Sequence, residues 1–217
     1  MLLDRRKVKF WQRIVFGGMA FLMAAFLVVG YSGVLEGCNL FSSAEESAVE
    51  QIDQQIAKSD AAVKADPKDP TAWISLGSDY LERANVQPQG SEAQTADWNE
   101  AAAAYARADK LLSKQKGQAV KRQRLDVLEQ LASVHLFLQD YQSATTVYGE
   151  ITGLRPKDAQ SYFEMASVAI NAGDTSAALL AFTKFLELDP QSPDAPAVKD
   201  WIEQNAPSPA PTGGSGQ

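Results

Sequence analysis

The chain has 217 residues, 45% of them hydrophobic, with 20 Lys and Arg against 27 Asp and Glu and a formal charge of −7. That is room for one modest domain with extensions, and the acidic balance argues against nucleic acid as a partner. A single cysteine excludes an internal disulfide, and one histidine beside one cysteine excludes a zinc site of the usual kind.

Residues 1–13 carry Arg5, Arg6, Lys7, Lys9 and Arg13 against Asp4, a local charge of +4 that leaves −11 for the rest. The next segment, 14–35, holds no charged residue. As a helix it is about 33 Å long, enough to cross a bilayer. The basic flank places the N-terminus in the cytoplasm and the remainder on the extracytoplasmic side of the cell membrane, as a single-pass protein. Two alternatives to this anchor are cleavage after Ser32 and, through Leu35-Glu36-Gly37-Cys38, lipidation of Cys38. Residues 36–42 form a polar hinge, and 43–206 the helical domain. Ser43 and Glu46 can make a capping box for a helix that runs to about Lys64 and stops before Asp66-Pro67.

Trp73, Leu76, Gly77 and Tyr80 fall on one face of the following helix, and Trp98, Ala101, Tyr105 and Ala108 on one face of the next. Between them 85–97, with Pro88, Gly90 and several polar residues, reads as an inserted loop. Lys114, Lys116, Lys121, Arg122 and Arg124 make a basic cluster at the start of a helix from about Gln118 to Leu138. It is either a solvated face or a contact for an acidic partner or anionic headgroups.

From here the chain repeats with a step of 34. Leu128, Leu131, Ala132 and His135 recur as Tyr162, Met165, Ala166 and Ala169, Ala144 and Tyr148 as Ala178 and Phe182, and Pro156 as Pro190. Pro196, Val198, Trp201 and Ile202 suit a capping helix within 193–206, because stacked repeats need an atypical end. Residues 207–217, rich in Pro, Gly and Ser, read as a disordered tail.

The 34-residue period, with the W-x2-L-G-x2-Y pattern of Trp73 to Tyr80, resembles the tetratricopeptide repeat, or TPR, family over about three-quarters of the chain. The resemblance implies an all-α helical solenoid of about three repeats, at about 70–115, 125–158 and 159–192, plus flanking helices. It also implies a concave groove lined by the first helix of each repeat. Carried onto this chain, the groove positions are Ile74, Ser78, Leu81 and Glu82, then Glu129, Ser133, Leu136 and Phe137, then Phe163, Ser167, Ile170 and Asn171. Serine on the floor beside an apolar strip suits an extended peptide or an amphipathic helix, with Phe137, Phe163, Leu136 and Ile170 as anchors. The family's chaperone-docking members grip a carboxylate with Lys and Asn at these positions, and no cation stands here. A flanking helix folded back over the strip is the alternative occupant.

An enzyme has little to stand on. His135 falls at a packing position, and neither HExxH, a P-loop nor GxGxxG occurs. The expectation is a membrane-anchored scaffold without cofactor or metal. It would bind a protein or peptide of the cell envelope, touch lipid through its N-terminal helix, and ignore nucleic acid. Self-association of the repeats, with Ala20 and Ala24 as a small-residue pair in the span, is the structural alternative.

Overall fold

Four helices begin where an Asp or Ser side chain takes over an amide that no carbonyl can reach. Asp69 accepts from Thr71 N at 2.8 Å, Ser91 from Gln94 N at 3.1 Å, Asp140 from Ser143 N at 3.1 Å and Asp174 from Ala177 N at 2.9 Å. The computed structural model describes residues 49–206. Within them the chain is all α: α1 (49–65), α2 (Pro70–Val86), α3 (Glu92–Leu112), α4 (Gln118–Phe137), α5 (Tyr141–Leu154), α6 (Ala159–Asn171), α7 (Thr175–Leu188) and α8 (Ala195–Asn205). The segments read as cytoplasmic N-terminus, membrane anchor, hinge and tail lie outside the described residues, as does Cys38. Among the described residues no helix is long and apolar enough to cross a membrane.

The cap at Asp140 has a pH signature. The Ser143 side chain and amide hold the Asp140 carboxyl below its ordinary 3.8. A depressed carboxylate contributes stability above the unfolded value and loses it as pH falls through the folded one. Asp140→Ala should therefore cost about 1 kcal/mol at neutral pH. That difference should shrink below pH 3.8, read by thermal unfolding of both proteins across the acid range.

The substantial helix contacts join neighbours in sequence, from α2 on α3 through to α7 on α8, which is the construction of a solenoid. The repeat is visible in the backbone. Gln139 and Gly173, 34 positions apart, both adopt left-handed φ, 56° and 73°. Each closes a first helix with the same pair of bonds: Asp140 N to His135 O at 2.8 Å and Gln139 N to Leu136 O at 3.0 Å, then Asp174 N to Ala169 O at 2.9 Å and Gly173 N to Ile170 O at 3.0 Å.

The core of the described residues falls into three clusters. Ile52, Ile56 and Val63 of α1 bury against Ala72 and Leu76 of α2 and Ala104 of α3. Among the described residues Tyr105, Leu112, Leu128 and Val134 are the largest fully buried side chains, and they belong with the central helices. At the far end Ala166, Ala181, Phe182 and Phe185 meet Val198 of α8, with Trp201 edge-on to Phe182 at 5.2 Å. So α1 covers one end of the stack and α8 the other. Gly77 leaves room for the Tyr105 ring of α3, since a Cβ there would lie 3.0 Å from it.

The stretch 85–97, expected as a loop, is helix on both sides of a short turn. The extra residues lengthen α2 and α3 to 17 and 21 residues, against 13 and 14 in α6 and α7. Buried polar side chains hold the extended ends together. The Gln94 amide donates to Ala84 O at 3.0 Å and accepts from Gly90 N at 2.8 Å. Arg83 forks onto the buried Asp97, Nε at 3.1 and 3.0 Å and Nη2 at 2.6 Å, and reaches Asp53 of α1 at 2.7 Å.

Candidate protein-binding surface

The first helices α2, α4 and α6 each pack on the helix that follows them. Of the twelve groove positions, the structure turns several inward. Ile74 and Leu81 are partly buried and pack against the central cluster. Leu136, Ser133 and Ser167 are half-buried, while Ser78 is exposed. The expected polar floor is occupied by its own bonds. Ser133 Oγ donates to Glu129 O at 2.9 Å, Ser167 Oγ to Phe163 O at 2.8 Å, and Ser78 Oγ lies 3.1 Å from Tyr105 Oη. Asn171 donates to Ser167 O at 3.1 Å, Glu129 takes Arg155 at 2.6 Å, and Glu82 is exposed.

Phe163, expected as an aromatic anchor of the groove, is half-buried and packs within its own repeat. Its ring centroid lies 5.8 Å from Phe182 and 5.3 Å from Phe185. The two α7 phenylalanines draw it into the packing of its own repeat, since tilted aromatic contacts of this kind add to simple burial.

What is left outside has a pattern of its own. The large apolar side chains exposed among the described residues are Val86 (47%), Phe137 (50%), Ile170 (39%) and Leu180 (74%). The first three fall in the last turns of α2, α4 and α6 respectively. They share that place in their helices, where a first helix turns into a second one. Phe137 keeps one face outward and stacks the other on Trp98 of α3, with centroids 5.5 Å apart and planes 17° from parallel. Val86 lies outside the groove positions, since a loop over 85–97 would end α2 before reaching it.

Between α4 and α6 a cleft of about 260 Å³ is lined by Glu129, Ser133, Tyr148, Arg155, Asp158 and Glu164, among others. Its cation, Arg155, is committed to Glu129. A ligand carboxylate placed there would face three acidic groups and no free positive charge.

The basic cluster divides in two. Lys114, Lys116 and Arg122 are exposed and Lys121 half-buried. Arg124 belongs to the framework instead: Nε meets Asp109 of α3 at 2.6 Å and Nη2 binds Glu150 of α5, so it ties three helices. His135 Nδ1 approaches Asp140 Oδ2 at 3.4 Å without hydrogen-bond geometry. Among the described residues no group of three or more His, Cys, Asp or Glu is arranged to hold a metal ion.

One helix pair of this array matches a known family. The tetratricopeptide repeat model matches residues 159–192, which are α6, α7 and their turns. Three solved structures align over 74% of this chain. A crystal structure of MamA does so at 15% identity, covering 84% of that chain with a TM-score of 0.47. YrrB, described as a TPR protein with an unusual peptide-binding site, gives 20%, 73% and 0.47. TTC0263, a thermophilic TPR protein of Thermus thermophilus, gives 13%, 75% and 0.42. No curated protein sequence matches significantly. The described residues form an all-α helical solenoid, and residues 159–192 of it match the tetratricopeptide repeat model.

Proposed function

We propose that this solenoid is a binding module that holds a protein or peptide partner along the edge marked by Val86, Phe137 and Ile170. The observation that carries the reading is the placement of these side chains. Among the described residues, three of the four large exposed apolar side chains occur in the last turns of three successive first helices. An apolar row spaced by the repeat suits an amphipathic helix or an extended segment with apolar residues at intervals. Phe137 is the natural centre, since its inner face already rests on Trp98 and little freedom remains to be lost when the outer face is covered.

The uncharged segment 14–35, behind its cationic flank, would anchor the module in the cytoplasmic membrane and display it on the extracytoplasmic side. The partner is then a component of the envelope, and the protein a scaffold rather than a catalyst. Replacing Val86, Phe137 and Ile170 together with serine should reduce crosslinked partner recovered from native membranes by about tenfold. Helical content should stay the same, because Phe137 would forfeit only its stacking, about 1 kcal/mol. Undiminished recovery would refute the edge as the binding surface.

A further inference from the structure

The turns that join α3 to α4 and α5 to α6 enclose a trough that the apolar edge does not use. A shallow hollow of about 430 Å³ opens there, and a flatter depression of about 530 Å³ adjoins it, with Lys121 and Leu154 lining both. Leu112, Val120 and Leu154 supply apolar lining, of which Leu112 is fully buried. Lys116, Lys121 and Lys157 supply positive charge, and none of the three has an ion-pair partner among the described residues. The arginines on the lining are engaged elsewhere, Arg124 with Asp109 and Glu150, Arg155 with Glu129. The one carboxylate on the lining, Asp158, accepts a hydrogen bond from Ser161.

In a chain of net charge −7 this is a concave, cation-rimmed surface with an apolar base. Its chemistry complements a segment whose carboxylates flank an apolar side chain. A flat lipid surface would satisfy the lysines but leave the recess unfilled. We propose that the trough docks an acidic peptide segment of a partner protein, carboxylates against Lys116, Lys121 and Lys157 and an apolar side chain over Val120 and Leu154. Lys121 and Phe137 stand near opposite ends of α4, about 24 Å apart along its axis. The trough and the apolar edge are therefore separate surfaces, and each can be disabled alone.

The test uses the full chain in neutral detergent micelles and fluorescence anisotropy of a labelled peptide alternating glutamate and leucine. The acidic peptide should bind, more weakly as salt is raised, and about tenfold more tightly than a peptide alternating serine and leucine, whose binding should not respond to salt. Lys116→Glu with Lys121→Glu should weaken binding about tenfold, and Phe137→Ser should leave it unchanged. Should the double variant fail to fold, Lys157→Glu alone provides the reading, with an expected loss of about threefold. Equal binding by the charge-reversed protein, or by the serine peptide, would overturn the proposal. So would binding to phosphatidylglycerol vesicles with none to the acidic peptide.

Discussion

Replacing Tyr105 with alanine is expected to destabilise the solenoid by about 4 kcal/mol, the cost of deleting a buried aromatic ring whose surroundings relax only partly. The ring is 2% exposed and lies where α2 meets α3, with the bare backbone of Gly77 against its edge. Nothing near Gly77 can fill the space, because that residue has no side chain to move. Tyr105→Phe should cost only about 1 kcal/mol, since it removes one hydrogen bond to a Ser78 hydroxyl that water can reach. Burial also pushes the Tyr105 phenol above its ordinary 10.0. Its contribution should persist below pH 10 and fade as pH rises through the raised value. Urea unfolding of the three proteins reads these effects as midpoint shifts, and an alanine variant as stable as the phenylalanine variant would contradict the packing described.

The second large effect is expected at Arg83. Its guanidinium is held in the charged form by the Asp97 hydrogen bonds, against a desolvation cost. Arg83→Met would leave Asp97, 3% exposed, as an unpaired buried carboxylate. Breaking one side of such a pair costs about 3 kcal/mol. Adding Asp97→Leu should recover most of the loss, because a buried ion pair replaced by apolar groups is often neutral. Asp53 is half exposed on its side of the network, so Asp53→Ala should cost less than about 1 kcal/mol. A double-mutant cycle on thermal unfolding separates these quantities. If Arg83→Met and the double variant are equally unstable, the pair is not what closes the long α2–α3 hairpin.

The solenoid was legible in the sequence because its packing positions are set by volume. Ala144, Ala166 and Ala178, which marked the 34-residue step, are fully buried, and nothing larger would let the paired helices close. The helix stops were legible in part. Gly173 announces a left-handed turn, whereas Gln139, its counterpart one repeat earlier, takes the same conformation without announcing it. The stretch 85–97 misled because Pro88 and Gly90 stand out locally, while the contacts that extend the helices past it join residues far apart, Arg83 to Asp97 and Ala84 to Gln94. Phe163 shows the limit of register alone. A groove position fixes where a residue leaves the helix, but the neighbouring α7 phenylalanines decide where its ring goes. The same holds for Arg124, which looks like one cation in a run until Asp109 and Glu150 are seen on either side of it.

The central claim is that a partner lies along the edge formed by the ends of α2, α4 and α6. A photo-reactive benzophenone amino acid placed singly at 86, 137, 170 and 180 in the full chain, irradiated in native membranes, tests it directly. Leu180 on α7 is the stringent comparison, because at 74% it is more exposed than any of the three edge residues. The predicted result is a discrete partner adduct, common to positions 86, 137 and 170 and absent at 180. Adducts only at 180, or none that the three edge positions share, would contradict the account.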